Sequence, residues 1–197
     1  MAMILCWIAG AMLLSNRPAT PARGLGDFQT VLTKHRLGCR ASQTAMKPAA
    51  STILKAGLVS GTLDITDALV YYGFRGARPM AILQSVASGL LGRAAFQGGV
   101  GTAILGLLLH FFIAFTASAV FYFAAQKLAF LRRQAALWGL LYGGAIYLVM
   151  NYVVLPLSAV AKPRPAVPAI SLINGVLAVV LLVGLPISLI VNRSFRR

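Results

Sequence analysis

Acidic residues are almost absent from this chain. It holds three, Asp27, Asp64 and Asp67, against 18 lysines and arginines in 197 residues. Cysteine is as scarce. Cys6 and Cys39 form no CxxC pair, so the spacing indicates neither a disulfide framework nor a metal or redox site. The only histidines are His35 and His110. No HExxH or GxSxG motif occurs, and no nucleophile stands beside a recognisable base. The glycine-rich "GGVGTAILG" at 98–106 lacks the Lys-Ser/Thr pair and the preceding strand of a phosphate loop. The sequence therefore predicts no enzyme, and it calls for no cofactor and no metal.

What the chain has is apolar length. It is 59% hydrophobic and 11% charged, with a mean hydropathy of +0.83. A soluble domain carries about 45–50% apolar and about 25% charged residues, so the natural solvent here is lipid. The net charge of +15 would by itself suit nucleic acid. However, the basic residues form no single patch with interleaved aromatics. They cluster in the gaps between apolar runs, as cytoplasmic loops beside anionic lipid do. The expected partners are the bilayer and anionic lipid head groups that meet cytoplasmic Lys/Arg, with no nucleic acid.

Four apolar runs of about 20 residues each have the length that a hydrocarbon core requires. They cover about 54–74, 100–123, 136–158 and 168–192. Backbone groups in lipid must bond within their own segment, which makes the runs helices. Short connections favour antiparallel neighbours. The predicted fold is an all-α membrane protein of four transmembrane helices in an antiparallel bundle. Between the first two runs, Met80, Leu83, Val86 and Leu90 recur at helical spacing, with Gln84, Ser85 and Ser88 on another face. This predicts a short interfacial helix over about 79–95, and a surface amphipathic helix is favoured over a pore element. Thirteen of the basic residues fall on one side of this arrangement and five (Arg75, Arg78, Arg93, Lys162, Arg164) on the other. Both termini are thus expected in the cytoplasm.

Residues 1–45 differ from the rest. "MAMILCWIAGAMLLS" is too short to span comfortably and lacks the positive start of a signal peptide. The stretch that follows shows no clear period, and Met46-Lys47 directly precedes the first apolar run. The expectation is a poorly ordered extension, or a reading frame whose true start is Met46.

The first run contains "GTLDITDALVYYG", with Asp64 and Asp67 in its midst. An Asp at the centre of a membrane helix costs about 2.5–3.5 kcal/mol on insertion scales. Lipid depth therefore favours neutralising the pair with a proton, a cation or the imidazolium of His110. At 100° per residue, Gly57, Ser60, Gly61, Asp64, Asp67, Ala68 and Tyr71 share one side, opposite Leu54, Leu58, Ile65, Leu69 and Tyr72. Small residues let helices approach closely, so this side faces a partner helix or a cavity. In the second run Gly99, Ala103, Gly106, His110, Ala114 and Ala117 align. In the third Asn151 aligns with Leu140, Gly144 and Tyr147, and in the fourth Asn174 aligns with Ser171 and Ala178. At 1.5 Å per residue, Asp64 and His110 lie near mid-span, Asp67 and Asn151 about 4–5 Å outward, and Asn174 about 9 Å outward. The predicted buried polar site is Asp64, Asp67, His110, Asn151, Tyr71 and Asn174. It either handles a proton, a cation or a small solute, or it locks helix pairing. An aspartyl-type intramembrane enzyme is disfavoured, because both acids sit on one helix at i, i+3 with no opposing acid. Pro156 and Pro186 each free a carbonyl four residues earlier and predict tolerated kinks. The small-residue faces also leave room for a homo-oligomer or a membrane partner.

The segment 109–163 carries "HFFIAFTASAVFYF", a short basic loop, "WGLLYGGA" and "MNYVVLPL". It resembles the YagU-related proteins of the bacterial inner membrane. The resemblance implies a multi-span protein of the cytoplasmic (inner) membrane with no assigned chemistry, and it does not extend to Asp64 and Asp67. One expectation is open to direct test. If Met46 is the start, mass spectrometry of the native protein yields no peptide from residues 24–34, and detecting one overturns it.

Overall fold

The computed structural model describes residues 28–160 and 168–196, with side chains from Ala49 onward. The chain divides into two units, Met1–Gln43 and Thr44–Arg197, and the packing described below lies within the second. Among the described residues the structure is helical, without strands. Helix α1 is Phe28–Phe74 and α2 is Pro79–Leu91, continued by a 3-10 turn at Gly92–Phe96. Helix α3 is Gly99–Lys127, α4 is the short Phe130–Arg133, α5 is Ala135–Leu157 and α6 is Ala169–Phe195. The expected extension over 1–45 lies mostly outside the described residues; from Phe28 onward its backbone is helical.

Among the described residues three helices, α3, α5 and α6, are long and apolar enough to cross a membrane. They cover the second, third and fourth runs within a few residues at each end. Helix α1 is not among them, since Lys55, Asp64, Asp67 and several Gly, Ser and Thr residues dilute its apolar content. Large apolar side chains are exposed on these helices and on α1, for example Leu58 on α1, Leu108 and Phe112 on α3, Leu141 on α5 and Ile173 on α6. In water such a surface would be unstable, whereas against acyl chains it is the expected one.

The inner contacts are made by small residues. A Cβ placed on Gly143 would stand 2.6 Å from Val180 Cα and 2.8 Å from the Val179 carbonyl oxygen. On Gly184 it would stand 2.6 Å from Gly143 Cα and collide with the Gly139 carbonyl. Positions 139 and 143 of α5 thus meet positions 188 to 180 of α6 in reverse order, so the pair is antiparallel. The same reversal relates α1 to α3, where Gly57 abuts Phe115 and Gly61 abuts Phe111. It also relates α1 to α6, where Asp67 bonds Asn174 and Tyr71 bonds Ser171. Ala56, Phe121, Tyr122, Ala125, Val183, Ile187 and Val191 form the buried cluster joining α1, α3 and α6. Tyr142 of α5 reaches it by donating to the Ala117 carbonyl at 2.7 Å.

Two features depart from the sequence reading. The polar side of α2 does not face outward. Gln84 and Ser88 are buried, and Gln84 donates to the Gly99 carbonyl at 2.9 Å and to Thr102 Oγ1 at 3.2 Å. Met80, Leu90 and Leu91 are exposed, and of the helix's polar residues only Ser85 is exposed. The glycine at 106 explains this. A Cβ there would collide with the Leu83 carbonyl, so α2 lies close on α3 with its polar side turned in. The second departure is at the prolines. Each is preceded by a π-helical turn, Met150–Val154 before Pro156 and Val179–Gly184 before Pro186. Leu155 N–H donates to the Met150 carbonyl and Leu185 N–H to the Val180 carbonyl, so the wider turn reuses backbone groups that a simple kink would leave bare.

Gly143→Leu is expected to lower stability by about 1–3 kcal/mol through overpacking against α6. Gly144→Leu is expected to change little, since nothing lies within 4 Å of its Cβ position. Thermal unfolding of the two variants in detergent, read by fluorescence-detected sizing, checks the contrast.

Candidate functional site

Helix α1 carries its polar residues to two different neighbours. Gly57, Ser60 and Gly61 are buried against α3. That close approach brings His110 Nε2 to 2.8 Å from the Gly61 carbonyl oxygen. A carbonyl can only accept, so Nε2 carries the proton and donates it. Phe111 packs edge-on to the imidazole, with ring centroids 5.5 Å apart. The imidazole is therefore fixed by a backbone bond and an aromatic contact.

Asp64 is half-buried one turn beyond Gly61, close enough to His110 for their charges to interact. Both residues line a groove of about 390 Å³ between α1, α2 and α3. Its walls are short or apolar, with Ala68 on α1 and Ala81 and Ile82 on α2. Tyr72 and Ser85 add the other polar groups. Ser85 donates to the Ile82 carbonyl of its own helix at 2.6 Å. No hydrogen bond to the Asp64 carboxylate forms among the described residues. Ile65, placed by helical phase on the outer side, is buried and forms part of the groove wall.

Asp67 belongs to a different set. Its Oδ2 accepts from Asn174 Nδ2 of α6 at 3.0 Å. One turn outward, the Tyr71 hydroxyl and Ser171 Oγ lie 3.1 Å apart. Arg75 donates from Nη1 to Ser171 Oγ at 3.0 Å and also to the Tyr71 hydroxyl. Its guanidinium stands over the Tyr71 ring, 5.2 Å from the centroid. A second groove of about 420 Å³ opens here, lined by Asp67, Tyr71, Arg75, Val70, Phe74 and Ile170.

The structure thus divides the six residues named from sequence. Asp64 and His110 share one groove. Asp67, Tyr71 and Asn174 share a tie between α1 and α6. Asn151 joins neither, because its Nδ2 donates to the Tyr147 carbonyl of its own helix at 2.9 Å, inside the π turn that precedes Pro156. Straight-helix depth and phase do not register that turn, which is why Asn151 was expected beside the aspartates. Arg75 was missed as a partner. Its place four residues after Tyr71 on α1 is the available signal, since i, i+4 neighbours meet on a helix. Among the described residues no group of three or more His, Cys, Asp or Glu could hold a metal ion.

Comparison with known proteins gives no relative. No family model, no curated protein and no solved structure matches the chain.

The contrast between Asn174 and Asn151 is measurable. Asn174→Ala breaks an interhelical bond to a carboxylate and is expected to destabilise by about 1 kcal/mol, within the range for such bonds in membranes. Asn151→Ala removes only a bond within one helix and is expected to fall below that. Parallel unfolding curves of the two variants in one detergent provide the check.

Proposed function

We propose that this chain is an integral membrane protein of four spans, α1 being the fourth, and that its Asp64–His110 groove takes up a proton, a cation or a small polar solute. The observation that carries this reading is the half-buried Asp64 carboxylate, which faces a roomy groove beside a backbone-fixed imidazole and has no hydrogen bond among the described residues. A group in that condition favours a ligand or a proton over remaining a bare anion in apolar surroundings.

Several features support placing α1 in the membrane. It packs antiparallel to two helices that are themselves long and apolar enough to cross. Its outer side at Leu54, Leu58 and Val70 is exposed and apolar. We also place α2 at the lipid boundary, since Met80, Leu90 and Leu91 are exposed while Gln84 and Ser88 are buried. The charge distribution supports cytoplasmic termini, with Lys127, Arg132, Arg133, Arg193 and Arg196 at one end of the helices as contacts for anionic head groups. The YagU-like segment 109–163 fits a place in the bacterial inner membrane.

A second reading is favoured by a specific bond. Asn174 satisfies Asp67, and Arg75, Tyr71 and Ser171 close the outer end of the same α1–α6 contact. That half of the polar layer is arranged as a lock, consistent with a structural or accessory membrane protein. The remaining apolar exterior leaves space for a homo-oligomer.

Reconstitution into liposomes separates the two readings. Asp64→Asn is expected to reduce proton or sodium flux by about tenfold or more, as intramembrane carboxylates on ion paths do. Equal flux in wild type and variant removes the transport reading and leaves the lock.

A further inference from the structure

We propose that the groove between α1, α2 and α3 binds a small organic monocation, an amine or quaternary ammonium carried on an apolar body, with Asp64 as its counter-ion. The proposal rests on the reading that this groove is a ligand site, and it names the class of ligand.

Size is the first reason. A groove of about 390 Å³ falls in the range of small-molecule sites, about 300–1,000 Å³. A single water occupies about 30 Å³, so a proton relay or one partly hydrated ion would leave most of the space to be filled. The width comes from small side chains on both walls, Ala68 on α1 and Ala81 on α2.

The donor set is the second reason. Hard divalent cations are held by about six to eight oxygens. This groove offers the side-chain oxygens of Asp64, Ser85 and Tyr72, short of such a shell. The Gly61 carbonyl nearby already receives His110. One carboxylate among apolar walls pairs with one positive charge whose remaining surface is itself apolar. Such a ligand loses little hydration on entry, so it avoids the penalty that a compact ion would bear.

The third reason is the setting of Asp64. Tyr72 lines the groove with a part-exposed ring, and aromatic faces attract quaternary and primary ammonium groups. The nearest comparable acid, Asp67, is already satisfied by Asn174 and sits beside Arg75, which disfavours a cation there. The imidazole that lines the groove has its Nε2 proton committed to the Gly61 carbonyl, so that proton is not donated to the Asp64 carboxylate.

The probe is benzyltrimethylammonium, with neopentylbenzene as a neutral molecule of the same shape. Equilibrium dialysis uses the full chain in phosphatidylcholine nanodiscs. The expected result is saturable binding of one probe per chain, which neopentylbenzene does not displace. Asp64→Asn, which keeps the shape of the side chain, is expected to weaken binding by about tenfold or more, the scale of one charge-assisted contact. Ala81→Phe, which fills the groove, is expected to abolish it, and Thr66→Ala on the exposed side of α1 to leave it unchanged. Sizing profiles of the variants show that they fold. Equal binding by wild type and Asp64→Asn, or full displacement by neopentylbenzene, overturns the proposal. If sodium or proton flux depends on Asp64 while benzyltrimethylammonium does not bind, the organic-cation assignment falls and the transport reading stands. If neither depends on Asp64, both fall.

Discussion

Where Gly143 meets Val180, and Gly184 meets Gly139, two helix backbones come closer than any side chain would permit. In an apolar solvent there is little hydrophobic gain from helix association, so dispersion contact between closely approaching backbones must supply the attraction. This constraint recurs where α1 and α2 meet α3. Gly57 and Gly61 let α1 settle on Phe115 and Phe111, and Gly106 lets α2 rest on α3. The positions of the polar groups follow from these contacts. His110 reaches a backbone carbonyl because Gly61 has no side chain to intervene. Gln84 is buried because α2 is drawn onto α3 at Gly106.

The two aspartates show how the same helix can serve two ends. They are three residues apart, and a helix turns about 100° per residue, so their carboxylates diverge by about 60°. That angle is small enough for both to appear on one side of a helical projection. It is also large enough for them to face different neighbours. Asp67 meets an amide from α6, which supplies a neutral donor and ties two helices. Asp64 meets a groove and an imidazole. The chain thus separates a satisfied acid from an available one within a single turn.

The all-helical character was legible from apolar run length, because lipid leaves no other way to pair backbone groups. So was the small-residue stripe of α3, where Ala103, Gly106 and Ala114 are buried as helical phase predicts. Depth and phase put Asp67 and Asn174 in one polar layer, but they set Asp67 level with Asn151 and not with Asn174, its partner in the structure. Three things were not legible. The inward turn of Gln84 depends on which neighbour α2 contacts, and an amphipathic pattern does not say whether the solvent outside is water or lipid. The Gly139–Gly143 contact was hidden beside Gly144, which differs by one position and touches nothing. Asn151 was misplaced because a projection assumes an unbroken α-helix.

That assumption fails again, usefully, along α6. Its inward residues run Ser171, Asn174 and Ala178, then Val183, Ile187 and Val191. The step from 178 to 183 is one residue too long for a regular α-helix, and it coincides with the π turn at Val179–Gly184. The turn therefore acts as a phase corrector. It absorbs one extra residue so that the stripe holding the Asp67 tie and the stripe holding the buried cluster stay on the same side. Helix α6 is two helical frames joined out of step, and the wide turn ahead of Pro186 brings them back into line.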